Sequence, residues 1–273
     1  MDPFDDLLRG VRADGALLDL ARPDALGGLA RGASLTLCVP LRGPARVAGR
    51  ALTVGEAAVV RGPEPFKAGG DGLLLAGAYR VREEVPRRLL RVLPRVLVVP
   101  DDHNCAAMRD YLEAQLQAGR PGRQIVLDRL LDWLLVCTLR DWFDRPEAEP
   151  PAWYRALSDD VAGPALRALH AAPERPWTLA TLAAEAGVSR TTLARRFPAV
   201  VGESPLAYLT SWRMDLAADL LRAEPHRTLA SVARRVGYAD PFGFSAAFKR
   251  VRGVTPSEHR AAATEAATAA ATG

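Results

Sequence analysis

Residues 179–208 recur, with weak identity but matching spacing, at 229–259, and this internal repeat constrains the fold more than any other feature of the chain. Leu179, Leu182, Ala183 and Gly187 return 50 positions later as Leu229, Val232, Ala233 and Gly237. Beyond the glycine the offset is 51, so that Leu193, Phe197, Gly202 and Pro205 pair with Phe244, Phe248, Gly253 and Pro256. One extra residue therefore sits in the second turn. Each copy has apolar residues at helical spacing, a small Ala where two helices would cross closely, and a Gly to open the turn. The pattern is helix, tight turn, helix, stop, written twice. A helix-turn-helix occurring twice points first to DNA binding.

The turn chemistry agrees. Gly187 suits the left-handed conformation that ends a helix. Ser189 and Asp240 stand where the second helix of each copy needs an N-cap. After Ser189 come Arg190, Thr191, Thr192, Arg195 and Arg196. Leu193 and Phe197, four apart, face the core, which leaves Arg190, Thr191 and Arg195 facing outward. Arg and Thr near the N-terminus of an exposed helix have the donors for major-groove readout. A single helix of this kind would compete with a merely solvated face; two at a fixed offset do not. In the second copy the early outward positions are Pro241, Phe242, Gly243 and Ala246. There Ser245 is the one base-edge donor, Phe242 could touch a thymine methyl, and Lys249 and Arg250 suit phosphate contacts. Between the copies, Ser204 and Pro205 open a further helix with the apolar stripe Leu206, Leu209, Trp212, Leu216 and Leu220. Trp212 reads as core. Arg213 is balanced between anchoring a phosphate and capping a neighbouring helix.

From Trp177 to Arg260 the chain resembles the C-terminal domain of the AraC/XylS transcription regulators. The matching run is PWTLATLAAEAGVSRTTLARRFPAVVGESPLAYLTSWRMDLAADLL followed by TLASVARRVGYADPFGFSAAFKRVRGVTPSEHR. The resemblance implies two helix-turn-helix units on one long helix, entering successive major grooves. By position it makes Arg190, Thr191 and Arg195 base-facing in the first unit, and Phe242, Ser245 and Ala246 in the second. Many members carry Arg where this chain has Ala246, a departure that weakens base reading by the second unit.

Charge divides in the same way. Acids and bases balance over residues 1–150, so the whole formal net charge of +4 lies in residues 151–273. A neutral half joined to a basic half fits a sensor joined to a DNA binder. The acidic start Met1-Asp2-Pro3-Phe4-Asp5-Asp6 lacks the positive charge of a signal peptide, and no apolar run approaches the ~18 residues of a membrane span. Three cysteines, an odd number, argue against a disulfide framework. The expected setting is cytoplasmic, associated with the nucleoid and with no membrane contact.

The N-terminal half has strand-like segments at Leu35–Leu41, Arg46–Leu52, Ala57–Arg61 and Leu73–Val81, punctuated by Gly43-Pro44, Gly49, Gly55 and Gly62-Pro63. Short strands so punctuated suggest a small barrel or sandwich. The order LTLCVPLRG…ALTVGEAAVVRGPEPF, with DPFDDLLRGVRADGALL before it and GAYRV…LPRVLVV after it, resembles the cupin-type sensor domain of an AraC subgroup. The strand region is short for that subgroup, which suggests an abbreviated barrel. None of the four histidines lies in the first 102 residues. This composition excludes a His-based metal site in the barrel; no metal and no cofactor is expected. No G-x-S-x-G or Walker motif occurs, so an enzyme is not expected.

Two helices follow, over about Asn104–Ala118 and Gln124–Phe143. Leu127, Leu130, Leu131, Leu134 and Leu135 give the second a broad apolar face. That face either dimerises, with Leu127, Leu131, Leu134 and Leu135 at the interface, or covers the barrel; its extent favours a homodimer. Cys38 and Cys137 read as packing residues. Cys105, beside His103 near a helix start, is the candidate for redox sensing, against small-molecule sensing. The expected fold is α+β in two domains. A cupin-like barrel spans 1–100, with flanking helices at 101–144 and a linker at 145–156. An all-α double helix-turn-helix spans 157–260, and 261–273 is a disordered tail. The expected function is a one-component regulator of promoter DNA, with a small-molecule effector and RNA polymerase as further partners. Two alternatives stand beside it: a ligand-independent regulator whose barrel only dimerises, and a cupin-like enzyme fused to a DNA-binding domain.

Overall fold

The computed structural model describes residues 3–13, 19–21, 30–100, 107, 110–112, 114–115, 121–145 and 148–272. The chain divides into two compact units. One comprises Leu7–Arg82 and Pro86–Pro150; the other comprises Met1–Asp6, Glu83–Val85 and Pro151–Gly273.

The first unit is built on two antiparallel sheets. The larger holds β1 (Asp19–Ala21), β7 (Leu73–Tyr79), β2 (Leu35–Arg42), β5 (Glu56–Arg61) and β8 (Val96–Pro100), in that spatial order. The smaller holds β4 (Arg50–Leu52), β3 (Ala45–Val47) and β6 (Ala68–Gly69). Cys38, Ala58, Val60, Leu74 and Ala76 of the larger sheet share one core cluster with Ala45, Val47 and Leu52 of the smaller. The expected single strand over Arg46–Leu52 is instead the hairpin β3–β4. Val47 pairs with Arg50, and the two residues between them, Ala48 and Gly49, have φ of 48° and 81°. Two successive positive φ values make the tight turn whose twist matches antiparallel strands.

Six consecutive residues of β2, Leu35–Pro40, are buried, so both faces of the larger sheet are covered. The second cover is a long helix. After a short helix at the N-terminus, α1 (Pro3–Arg9), and α2 (Glu84–Val92), α3 spans Arg123–Phe143. Its residue Leu131 lies against Gly77 of β7, so closely that a methyl group at Gly77 would come within 3.0 Å of Leu131 Cδ1. The Tyr79 hydroxyl donates to the Leu131 carbonyl at 2.9 Å. This corrects the interface reading of Leu127, Leu131, Leu134 and Leu135. They are 1%, 0%, 2% and 1% exposed within a single chain. The sequence expectation took this face to exceed what a small barrel can hide, whereas both faces of the larger sheet are covered. The outward side of α3 carries exposed Ile125, Val126 and Trp133 instead.

The second unit is helical: α4 (Ala152–Arg155), a single 3-10 turn (Ala156–Ser158), α5 (Ala162–Ala171), α6 (Leu179–Glu185), α7 (Arg190–Val201), α8 (Pro205–Ala223), α9 (Leu229–Arg235), α10 (Pro241–Arg252) and α11 (Pro256–Thr272). Two boundaries differ from expectation. Part of the expected linker is folded, since α4 buries Trp153 and the turn after it buries Ala156. The expected disordered tail continues α11 to Thr272, as its run of Ala, the best helix former, allows. Most of the expected helix over 104–118 lies outside the described residues, as do Cys105 and His103; the described positions there are helical and Leu112 is buried.

Candidate nucleic-acid interface

The two copies fold by the same local bonds. Thr178 caps α6 by accepting from Thr181 N, and Thr228 caps α9 by accepting from Ser231 N. Each first helix ends in a left-handed glycine, Gly187 at φ 69° and Gly237 at φ 81°. Gly187 N donates to Ala184 O and Val188 N to Ala183 O, at 3.1 and 3.0 Å; Gly237 N donates to Arg234 O and Tyr238 N to Ala233 O, at 3.1 and 2.9 Å. These paired bonds close a helix C-terminus and swing the chain into the next helix. The second helices, α7 and α10, have 12 residues each and stop at Gly202 and Gly253, again left-handed. Helix α8 lies between the copies. Its Met214, Ala217, Ala218 and Leu221 form one core with Val232, Ala233, Val236, Phe244 and Phe248 of the second copy. At ~1.5 Å per residue its 19 residues span about 28 Å. That is of the order of the ~34 Å between major grooves on one face of DNA.

Burial sorts the candidate residues. Leu193, Phe197 and Val201 anchor α7, while Arg190, Thr191 and Arg195 are exposed together on its outer side. The other candidates on this helix have local duties. The Ser189 hydroxyl accepts from Thr192 N at 3.0 Å and bonds the Thr192 hydroxyl at 2.8 Å. Arg196 forks onto Asp159, with Nε at 2.8 Å and Nη2 at 2.6 Å from Oδ2. Asp159 also accepts from Val161 N and Ala162 N at the start of α5. Burial pushes its pKa up, but these backbone and guanidinium hydrogen bonds outweigh it and hold the carboxyl below its usual value. Nothing in the sequence pattern pairs Asp159 with a residue 37 positions away.

In the second copy Phe244, Ala247 and Phe248 are buried, and Phe242, Ala246, Lys249 and Arg250 are exposed. Phe242 is 84% exposed. A ring so placed contributes little burial to the fold and is accessible to a partner. The Asp240 carboxylate accepts from Phe242 N at 2.9 Å and from Gly243 N at 2.6 Å. It is a helix cap, and its charge would repel phosphate. Ser245 donates its hydroxyl proton to Pro241 O at 2.8 Å, which leaves its oxygen to accept rather than donate.

Arg213 is bound to a loop rather than to a helix end. Its Nε donates to Pro173 O at 2.7 Å and its Nη2 to Arg175 O at 2.8 Å. It ties the loop before α6 to α8 and is occupied by backbone carbonyls rather than held out to phosphate. The outward set is therefore Arg190, Thr191, Arg195, Phe242, Ser245, Lys249 and Arg250.

The described cysteines, Cys38 and Cys137, lie in the N-terminal unit. Burial pushes the Cys38 thiol up to about 12, and Cys137 is also raised by burial, which disfavours the reactive thiolate in both. Among the described residues no helix is long and apolar enough to cross a membrane.

Comparison with known proteins gives two domain matches: a helix-turn-helix domain over residues 182–262 and a cupin over residues 67–144. A protein of Streptomyces antibioticus named as an AraC-like transcription regulator is 35% identical over 254 residues, covering 92% of this chain and 82% of its own length. One of Streptomyces lividans with the same description is 39% identical over 196 residues, 70% of this chain and 64% of its own length. The HTH-type transcriptional regulator AlkR of Acinetobacter baylyi is 35% identical over 150 residues, 55% of this chain; the chain spans about half of AlkR, 48%.

Proposed function

Because the chain belongs to the AraC-like transcription regulators, with a cupin towards its N-terminus and a helix-turn-helix domain towards its C-terminus, we propose that it recognises double-stranded promoter DNA with α7 as the main reading helix and α10 as the supporting one. The observation that carries this is the unequal outer faces of two helices folded by the same bonds. Helix α7 presents Arg190, Thr191 and Arg195, whose donors can distinguish base pairs in the major groove. Helix α10 presents Phe242 and Ala246, then Lys249 and Arg250, which give apolar contact and phosphate attraction with little hydrogen-bond readout. The regulator acts as one component and without catalysis. Its N-terminal unit serves to sense an effector, to hold a second copy, or both, and contact with RNA polymerase follows from DNA-bound regulation.

The test is selection of bound duplexes from a random pool, followed by scrambling of each half of the recovered site. Scrambling the bases under α7 should weaken binding far more than scrambling those under α10. Equal losses at the two halves would refute the asymmetry. Failure to recover any preferred sequence would refute specific DNA reading altogether.

A further inference from the structure

The N-terminal unit contains a second place built for charge. A cleft of about 490 Å³ is lined by Arg61, Arg80, Arg82, Arg87 and Arg91. These arginines come from three separate stretches of chain: the end of β5, the segment just after β7, and α2. Among the described residues lining the cleft none is acidic. Arg87 and Arg91 are four apart on one helix, where like charges oppose each other. Five guanidinium groups thus converge on one volume.

The cleft is shaped as well as charged. Ser34 accepts from Val81 N at 3.0 Å and thereby fixes the chain between Arg80 and Arg82. Arg61 donates from Nη1 to the Leu90 carbonyl at 3.4 Å, which aims its guanidinium along the wall. Its Nε is buried and makes no hydrogen bond among the described residues. Val81 and Leu90 add a small apolar wall. The volume falls within the ~300–1,000 Å³ of small-molecule sites. Guanidinium forks match carboxylate and phosphate oxygens two at a time. A nucleic acid would instead need a continuous basic track rather than one bounded cleft.

We propose that this cleft binds a small polyanionic metabolite, one bearing at least two phosphate or carboxylate groups, outside the space between the two sheets. The binding itself does not depend on the DNA-reading assignment above; only the role of such a ligand as effector rests on it. Calorimetric titration of the full chain with inorganic pyrophosphate, and separately with citrate, at matched ionic strength, should give saturable one-site binding to at least one of them. The preferred probe separates phosphorylated from carboxylated ligands. The double variant Arg87→Gln/Arg91→Gln keeps helix-forming residues on α2 and should weaken that binding about tenfold or more. Arg61→Lys, which keeps the charge and loses the fork, should also weaken it. The control Arg46→Gln/Arg50→Gln, on the β3–β4 hairpin, should bind as wild type. Circular dichroism of each variant confirms folding. Absence of saturable binding to both probes, or equal binding by the double variant, overturns the proposal. So does loss of random-duplex DNA binding by the double variant when neither probe binds, since the arginines would then be a nucleic-acid contact. A wild-type chain that binds pyrophosphate or citrate but no DNA leaves this inference standing and removes the other.

Discussion

Replacement of Asp240 separates capping from DNA contact at the second reading helix. The first turn of α10 begins with Pro241, which has no N–H, so fewer donors there need an acceptor. Asp240 alone satisfies two of them, Phe242 N at 2.9 Å and Gly243 N at 2.6 Å. An Ala at a cap usually costs about 0.5–2 kcal/mol. With two bonds lost at once, and a glycine in the same turn that adds little helical preference, about 1.5 kcal/mol is expected. Hydrogen exchange read by mass spectrometry on peptides spanning Pro241–Arg252 should then show protection about tenfold lower in Asp240→Ala, since ~1.4 kcal/mol is a factor of ten. Asp240→Asn keeps an acceptor and should stay within about twofold of wild type. The same Asn variant removes a negative charge from the face proposed to meet DNA. It should bind a random-sequence duplex more tightly than wild type in a fluorescence anisotropy titration at low salt. If Ala and Asn lower protection equally, or if Asn weakens duplex binding, the carboxylate is not a cap and the reasoning fails.

Further outcomes follow from the geometry. Arg195→Ala should cost about 1–3 kcal/mol on a selected site and relax preference at one position, whereas Arg213→Ala should lower the melting temperature and leave the salt dependence of duplex binding unchanged; uniform weakening on all sequences by Arg195→Ala would make it a phosphate contact. Leu131→Asp should unfold the N-terminal unit, because Leu131 is 0% exposed against Gly77. Ile125→Lys with Trp133→Glu should leave the unit folded and convert any dimer to monomer in sedimentation, and a dimer that survives would clear the outer side of α3 of that role. Asp159→Asn should destabilise the helical unit most at neutral pH. The folded carboxyl titrates below its ordinary value of 3.8, so its contribution is present above that value and is lost as pH falls through the lower, folded one. Urea titrations of variant and wild type should therefore converge below about pH 4, and a constant gap down to acid pH would show that the charge of Asp159 is not what stabilises.

The repeat by itself determined the helical half. Gly187 and Gly237, Ser189 and Asp240, and the spacing of Leu193 with Phe197 and Phe244 with Phe248 are local signals, because a left-handed glycine, a cap and a four-residue interval act within one or two turns of helix. The outward set on α7 followed from the same interval. Partners distant in sequence were decided only by tertiary structure. Asp159 claims Arg196, and the carbonyls of Pro173 and Arg175 claim Arg213, although both arginines lie at positions that periodicity alone leaves open. The leucines of α3 show the same limit in the other half. Periodicity identified an apolar face, but what covers it depended on β2 being buried on both sides, a property of five strands assembled into one sheet. The arginine cleft was likewise invisible in the linear order, because its members are ordinary surface residues until β5, the end of β7 and α2 bring them around one volume.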